Sequence, residues 1–289
     1  MRNQAMSHRH LPMLGMLGPV SAWMLALVAV PLMLVLIVSL FSRGVYGGLI
    51  YRVNVQNYLR FIDPLYVKVL WNSLEVAFLT TLACLVLGYP FAYVVARSSL
   101  RWRNLLLLLI IIPFWSNSLI RTYAWIVLLR TEGVINQVLL GMGLIDHPLK
   151  LLYNTGAVVL GLTYTLFPFM VLPLYASIEK LDRRLLEASA DLGAGPWQTF
   201  CRVTLPLTMP GVIAGSLLVF IPSLGLFFIP DLMGGSRTML ISNLIQNQFL
   251  AARDWPFGSA ASVILMILTL ILIAFYLRLV KNTERLEVI

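Results

Sequence analysis

Few residues in this chain could do chemistry, and most of them fall into short polar interruptions of an apolar sequence. From Glu187 to Pro206 runs EASADLGAGPWQTFCRVTLP, and from Gly225 to Gly235 runs GLFFIPDLMGG, which sets Phe227 and Phe228 beside Asp231. The carboxylates of Glu187, Asp191 and Asp231 can accept charge-assisted hydrogen bonds from basic groups, and an aromatic face beside a carboxylate can hold a cation. Asp254 and Trp255, in RDWPFG, repeat the pairing of acid and ring. Catalytic spacings are missing. None of the four lysines follows a glycine, so no G-x-x-x-x-G-K-[ST] phosphate loop exists, and there is neither H-E-x-x-H nor G-x-S-x-G. The histidines are His8, His10 and His147, with no ligand cluster around them; His8 and His10 could at most hold a metal loosely in a tail. The chain is expected to carry no catalytic residue, metal or cofactor of its own.

The elements that must position these residues are membrane helices. Of 289 residues, 60% are hydrophobic and 11% charged, with a mean hydropathy of +0.87; soluble domains carry about a quarter charged residues. Runs of about twenty apolar residues can cross the hydrocarbon as helices, and six are expected at 19–42, 69–96, 104–129, 154–177, 207–230 and 259–280. One all-α polytopic domain over 19–280 is the reading, between an N-terminal tail (1–18) and a C-terminal tail (281–289). The first run resembles a signal peptide but is too long and lacks a small-residue cleavage site, so it reads as a retained anchor. Cys84 and Cys201 cannot staple an exported loop and need only pack.

Lysine and arginine set the orientation. With a cytoplasmic N-terminus, twelve of the 21 fall on that side: Arg2, Arg9, Arg97, Arg101, Arg103, Lys180, Arg183, Arg184, Arg202, Arg278, Lys281 and Arg285. The tight ARSSLRWR turn is the best single indicator. Both termini and the stretch after Lys180 are then cytoplasmic, and the net charge of +9 needs no nucleic-acid partner.

Within LDRRLLEASADL, Leu181, Leu185, Ala188 and Leu192 recur at helical spacing, with Asp182, Arg183, Glu187 and Asp191 around them. A short amphipathic helix is expected, with Gly193 as a left-handed cap and Pro196 opening a second short helix. Such a knob suits a groove on a partner; a solvated loop with a surface helix is the plainer account of the periodicity.

The spacing goes further. Glu187, Ala188, Ser189, three residues, Gly193, nine residues, then Val203, Thr204, Leu205 and Pro206 resembles the EAA signature of ABC importer permeases, with serine for the third small residue and valine for isoleucine. The segments ACLVLGYPFAY, IPFWSNSLIRTYAW, PFMVLPLYASIEKLD, PLTMPGVIAGSLLVF, DLMGG and RDWPFG resemble the spermidine/putrescine branch, and its first permease chain in particular. The resemblance covers nearly everything after Asn57. It implies a MetI-like type I importer fold in a bacterial inner membrane, with residues 178–206 as the coupling loop and Glu187, Ala188, Ser189, Asp191, Gly193 and Ala194 meeting a cytoplasmic ATPase. It also implies a second homologous permease chain, two copies of that ATPase, which use ATP and Mg, and a periplasmic polyamine-binding protein.

Prolines interrupt five of the runs, and helices broken this way are expected around the path. An external gate is expected at Phe227, Phe228 and Asp231, with Asp254 and Trp255 as a second acid and ring; lipid contact or core packing also accounts for the phenylalanines, and a salt bridge to Arg253 accounts equally for Asp254. Arg121, amid Ser116, Asn117, Ser118 and Thr122, is the most polar insertion in any run, and a partner carboxylate, backbone carbonyls or the external interface would satisfy it. Glu75 is one candidate partner, or it sits near the outer mouth. Another cargo (amino acid, sulfate, iron or opine), a stand-alone secondary transporter and a membrane enzyme are the rival readings.

Overall fold

The structure is a computed structural model describing residues 10–44, 48–235 and 238–286. Residues 1–9 and 287–289, which hold His8 and part of the expected tails, lie outside the described residues. The chain divides into two compact units, residues 1–63 with 247–267 and residues 64–246 with 268–289.

The first unit contains α1 (His10–Ser39), a two-stranded antiparallel ribbon of β1 (Ser42–Arg43) and β2 (Leu49–Ile50), and α2 (Gln56–Phe61). The helix therefore starts well before the expected residue 19, and its described side chains are exposed along nearly its whole length, as a lipid-facing anchor would be. Polar residues pin the ribbon region. Asn57 donates through Nδ2 to the carbonyls of Ser39 (2.9 Å) and Phe41 (2.8 Å), which closes the end of α1 against α2. Arg43 donates to the Ala252 carbonyl at 2.7 Å.

The second unit is built on α3 (Pro64–Arg97), α7 (Thr155–Glu179) and α11 (Met209–Gly225), which pack on one another. Small residues allow the close approach, as is usual where helices associate in lipid: a Cβ at Gly215 would stand 2.8 Å from the Met170 sulfur. One buried cluster joins Cys84, Tyr89 and Ala92 of α3 to Leu166, Met170, Val171 and Leu174 of α7 and Val219 of α11. A second joins Val76, Val158 and Leu162 to Ile229 and Met233.

Among the described residues, four continuous helices are long and apolar enough to cross a membrane: residues 18–39 of α1, α3, α7 and residues 255–278 of α13 (Trp255–Leu286). If each of two bent pairs is one span, the number is six. The expected third run is not one helix. α4 (Leu100–Ile111) passes into a 3₁₀ turn at Ile112–Trp115, and the chain then turns by 97° before α5 (Ser118–Leu129) and α6 (Val134–Gly141). Pro113 cannot donate to the preceding turn, and Asn117 starts α5 afresh by accepting from Leu119 N at 2.8 Å. The fifth run bends by 67° before Met209, where Pro206 and Pro210 flank Thr208.

Candidate functional site

The stretch 178–206 folds as a small knob. Asp182 caps α8 (Arg183–Asp191) by accepting from Arg184 N at 2.9 Å. Gly193 follows with φ +80°, and an added Cβ there would meet nothing within 4 Å. The glycine is thus required by backbone handedness alone. Pro196 opens α9 (Pro196–Thr199), and Gly195 N–H donates to Gln198 Oε1 at 3.2 Å. Ala194 N–H returns to the Ser189 carbonyl at 3.1 Å, closing the turn.

Ser189 is the one buried residue of α8, and its hydroxyl meets Thr199 Oγ1 at 2.9 Å. Only a small side chain fits where the two short helices touch. The apolar stripe read from the periodicity does not pack on this chain: Leu185 is 46% exposed, Leu192 is 88% exposed and Ala188 is also exposed. Glu187 and Asp191 are exposed as well and enter no ion pair among the described residues. Leucines and carboxylates are thus presented together on the outside of α8.

Behind the knob, aromatic rings lead into the bundle. Trp197 stacks on Phe200 (centroids 5.5 Å apart), and Phe200 meets Tyr89 of α3 edge-on at 5.4 Å. The Tyr89 hydroxyl lies 2.8 Å from Thr208 Oγ1, which donates to the Thr204 carbonyl at 2.8 Å, so Tyr89 is the donor. A π-helical turn (Phe200–Thr204) and α10 (Leu205–Leu207) connect this contact to α11. Tyr89 and Thr208 escaped the sequence reading, because nothing in either segment announces a partner 119 positions away.

The second polar stretch begins where α11 stops at Gly225. Leu226 is extended, and a π-helical turn spans Pro230–Gly234. Breaking a helix in an apolar setting frees carbonyls that need donors, and α12 (Ile241–Leu250) supplies them. Ser242 Oγ donates to the Leu226 carbonyl at 3.2 Å, Asn243 Nδ2 to the Phe227 carbonyl at 2.8 Å, and Asn243 Nδ2 also to Asp231 Oδ1. Asn243 is itself 6% exposed, and its Oδ1 has no hydrogen-bond partner among the described residues. Phe227 (43% exposed) and Asp231 share one exposed turn, whereas Phe228 packs on the cluster around Ile229 and Met233.

Asp254 and Trp255 belong to the first unit. Asp254 is 2% exposed; its Oδ2 accepts from Arg60 Nη1 at 2.8 Å and its Oδ1 accepts from Phe257 N at 3.3 Å, at the start of α13. The salt bridge to Arg253 that could account for Asp254 is replaced by one to Arg60. Trp255 is half exposed. Glu75 is exposed and forms no ion pair with Arg121.

Known proteins resemble this arrangement closely. Residues 85–285 match the family described as binding-protein-dependent transport system inner membrane component. The spermidine/putrescine transport system permease protein PotB of Escherichia coli is 48% identical over 263 residues, covering 91% of this chain and 96% of that protein. Its namesake from Haemophilus influenzae is 46% identical over 264 residues, covering 91% and 92%. Among solved structures, a chain of the bacterial alginate ABC transporter in complex with alginate pentasaccharide-bound periplasmic protein superposes with a TM-score of 0.76 at 18% identity, covering 96% of both chains. A chain of the inward-facing MetNI methionine ABC transporter gives 0.56 at 18%, covering 77% of this chain and 97% of that one. These two show the fold, a MetI-like permease, and the match to the family spans more than half the sequence. The chain belongs to the binding-protein-dependent transport system inner membrane component family, as a multi-pass membrane protein that serves transport rather than catalysis.

Proposed function

We propose that this chain is the permease subunit of an ATP-driven polyamine importer, taking spermidine or putrescine and forming half of the path with a second, homologous permease chain. The observation that carries the reading is identity of 46–48% along nine-tenths of the chain to permeases named for spermidine/putrescine transport. Two copies of a separate ATPase would use ATP and Mg, and a periplasmic polyamine-binding protein would deliver the cargo.

The knob at 183–199 is the ATPase contact in this account. The exposed Glu187 and Asp191 offer charge to basic groups of a cleft, and Leu185 and Leu192 offer apolar area. A push on the knob would travel through Phe200, Tyr89 and Thr208 into α3 and α11, a chain of packed groups rather than a flexible loop. The basic residues around α4 and α8 favour a cytoplasmic knob and cytoplasmic termini.

The exposed pair Phe227 and Asp231 is the cation-contacting segment. A polyamine presents ammonium groups separated by methylenes, and a carboxylate beside an aromatic face fits both. Asp254, held by Arg60 and the start of α13, serves mainly to build its own unit, with Trp255 left to make contacts beside it.

The test is ATPase stimulation in the complete complex in nanodiscs, driven by the cognate binding protein loaded with spermidine, putrescine, an amino acid or sulfate. Stimulation by the polyamine-loaded forms alone is expected. Stimulation by an amino acid or sulfate and not by polyamines would move the chain to another cargo.

A further inference from the structure

Tyr153 stands just ahead of α7 with φ +62°. A left-handed backbone is disfavoured sterically at a residue with a bulky side chain, and it persists only where the surroundings impose it. Here they do so from both sides. Asn154, next in the chain, starts α7 by accepting from Ala157 N at 2.9 Å, and its Nδ2 donates to the Lys150 carbonyl at 3.0 Å. Leu152, just before, is buried in the cluster that holds Ile229 and Met233. With both neighbours fixed, the Tyr153 N–H donates to the Met233 carbonyl at 3.0 Å.

Met233 lies near the far end of the π-helical turn that carries Asp231. Its side chain is fully buried over Gly161, where a Cβ would come within 2.6 Å of its sulfur. Gly235 follows with φ +65°, and a Cβ there would stand 3.2 Å from Tyr153 Cβ. Two left-handed residues thus face each other. Asn243 holds the near end of the turn, through the Phe227 carbonyl and the Asp231 carboxylate, and Tyr153 holds the far end. The bond to Met233 uses only the backbone of residue 153, and the Tyr153 side chain is 59% exposed.

We infer that Tyr153 is a positioning residue for transport: its left-handed backbone fixes the far end of the Pro230–Gly234 turn, and with it the reach of Asp231 towards a cargo ammonium. The inference rests on the reading of Asp231 as a cation contact. A carboxylate displaced by about 1 Å from a reacting or bound group can lose much of its effect while the rest of the chain is unaltered.

The experiment is ATP-driven spermidine uptake by the complete complex in proteoliposomes, with basal ATPase activity and melting temperature measured alongside. Tyr153→Val keeps the N–H but fits the left-handed region worst, and should lower uptake about fivefold with basal ATPase activity near wild type. Tyr153→Asn and Tyr153→Gly adopt that region readily and should keep most of the uptake. Gly235→Ala leaves residue 153 untouched and strains the residue facing it; it should lower uptake similarly, so the inference does not hang on one variant's folding. With Asp231→Asn already present, neither Tyr153→Val nor Gly235→Ala should lower uptake further, as expected of residues that act through one another. A fall in Tyr153→Asn as large as in Tyr153→Val would make the ring responsible and overturn the inference. So would a further loss of the same size on top of Asp231→Asn, which would leave Asp231 as the cargo contact. Normal uptake by Asp231→Asn alone would instead withdraw the cation-contact reading, and the inference with it.

Discussion

Asn243 reaches from α12 to the broken end of the fifth run and donates to both the Asp231 carboxylate and the Phe227 carbonyl. The exposed acid is therefore held by a buried amide, and its position depends on a residue that never needs to meet solvent. Asn243→Ala should leave the Phe227 carbonyl short of a donor, at a cost of about 1–3 kcal/mol. A lower melting temperature together with weaker uptake is expected in a thermal-shift and transport comparison. Unchanged values for both would remove Asn243 as the clamp.

Asp231→Asn keeps the shape and removes the charge. Polyamine uptake should fall several-fold, with expression, binding-protein docking and basal ATPase activity near wild type. Normal uptake across substrate concentrations at equal expression would take Asp231 out of the path.

Gly193 is strained by any side chain because of its φ and not for lack of space. A non-glycine residue in the left-handed region costs about 1–2 kcal/mol, least for asparagine. Gly193→Val should reach the membrane yet lose ATP-driven uptake, whereas Gly193→Asn should keep most of it. Equal uptake by the two variants would contradict the handedness argument.

Much of the knob was legible in the sequence because its signals are local. Gly193 as left-handed terminator and Pro196 at a first turn act within a few residues of themselves; the Asp182 cap is as local, but it was found only in the structure. Which side of α8 would be covered was not legible: periodicity finds the Leu185, Ala188, Leu192 stripe but cannot say that Ser189 is the residue meeting Thr199. The third run was legible as a run broken by proline, but hydropathy sums apolar character and is blind to direction, so the 97° size of the turn after Trp115 was not. The partner of Asp254 was not legible, because Arg60 lies 194 positions away while Arg253 is adjacent.

Ser189 tests the packing of the knob. Ser189→Ala gives up one hydrogen bond, about 0.5–1.5 kcal/mol, and should leave ATPase copurification and uptake nearly intact. Ser189→Leu should push α8 away from α9 and abolish copurification. Retained copurification with Ser189→Leu would show that the two short helices need not stay together.

Arg60 and Asp254 test the first unit. Arg60→Ala leaves a buried carboxylate unpaired; because Arg60 is itself half exposed, the loss should sit below the about 3–5 kcal/mol of a fully buried pair. Asp254→Asn keeps an acceptor for Phe257 N and should be milder. The order of melting temperatures checks this: Arg60→Ala as stable as wild type would contradict it.

The most direct measurement of the whole account is uptake of radiolabelled spermidine and putrescine into proteoliposomes holding the complete complex, with binding protein outside and ATP inside. Accumulation against a gradient is expected with ATP, none with ADP, and none with Glu187→Lys or Gly193→Val at normal insertion. Polyamine accumulation without ATP, or ATP-driven accumulation undiminished in both knob variants, would contradict it.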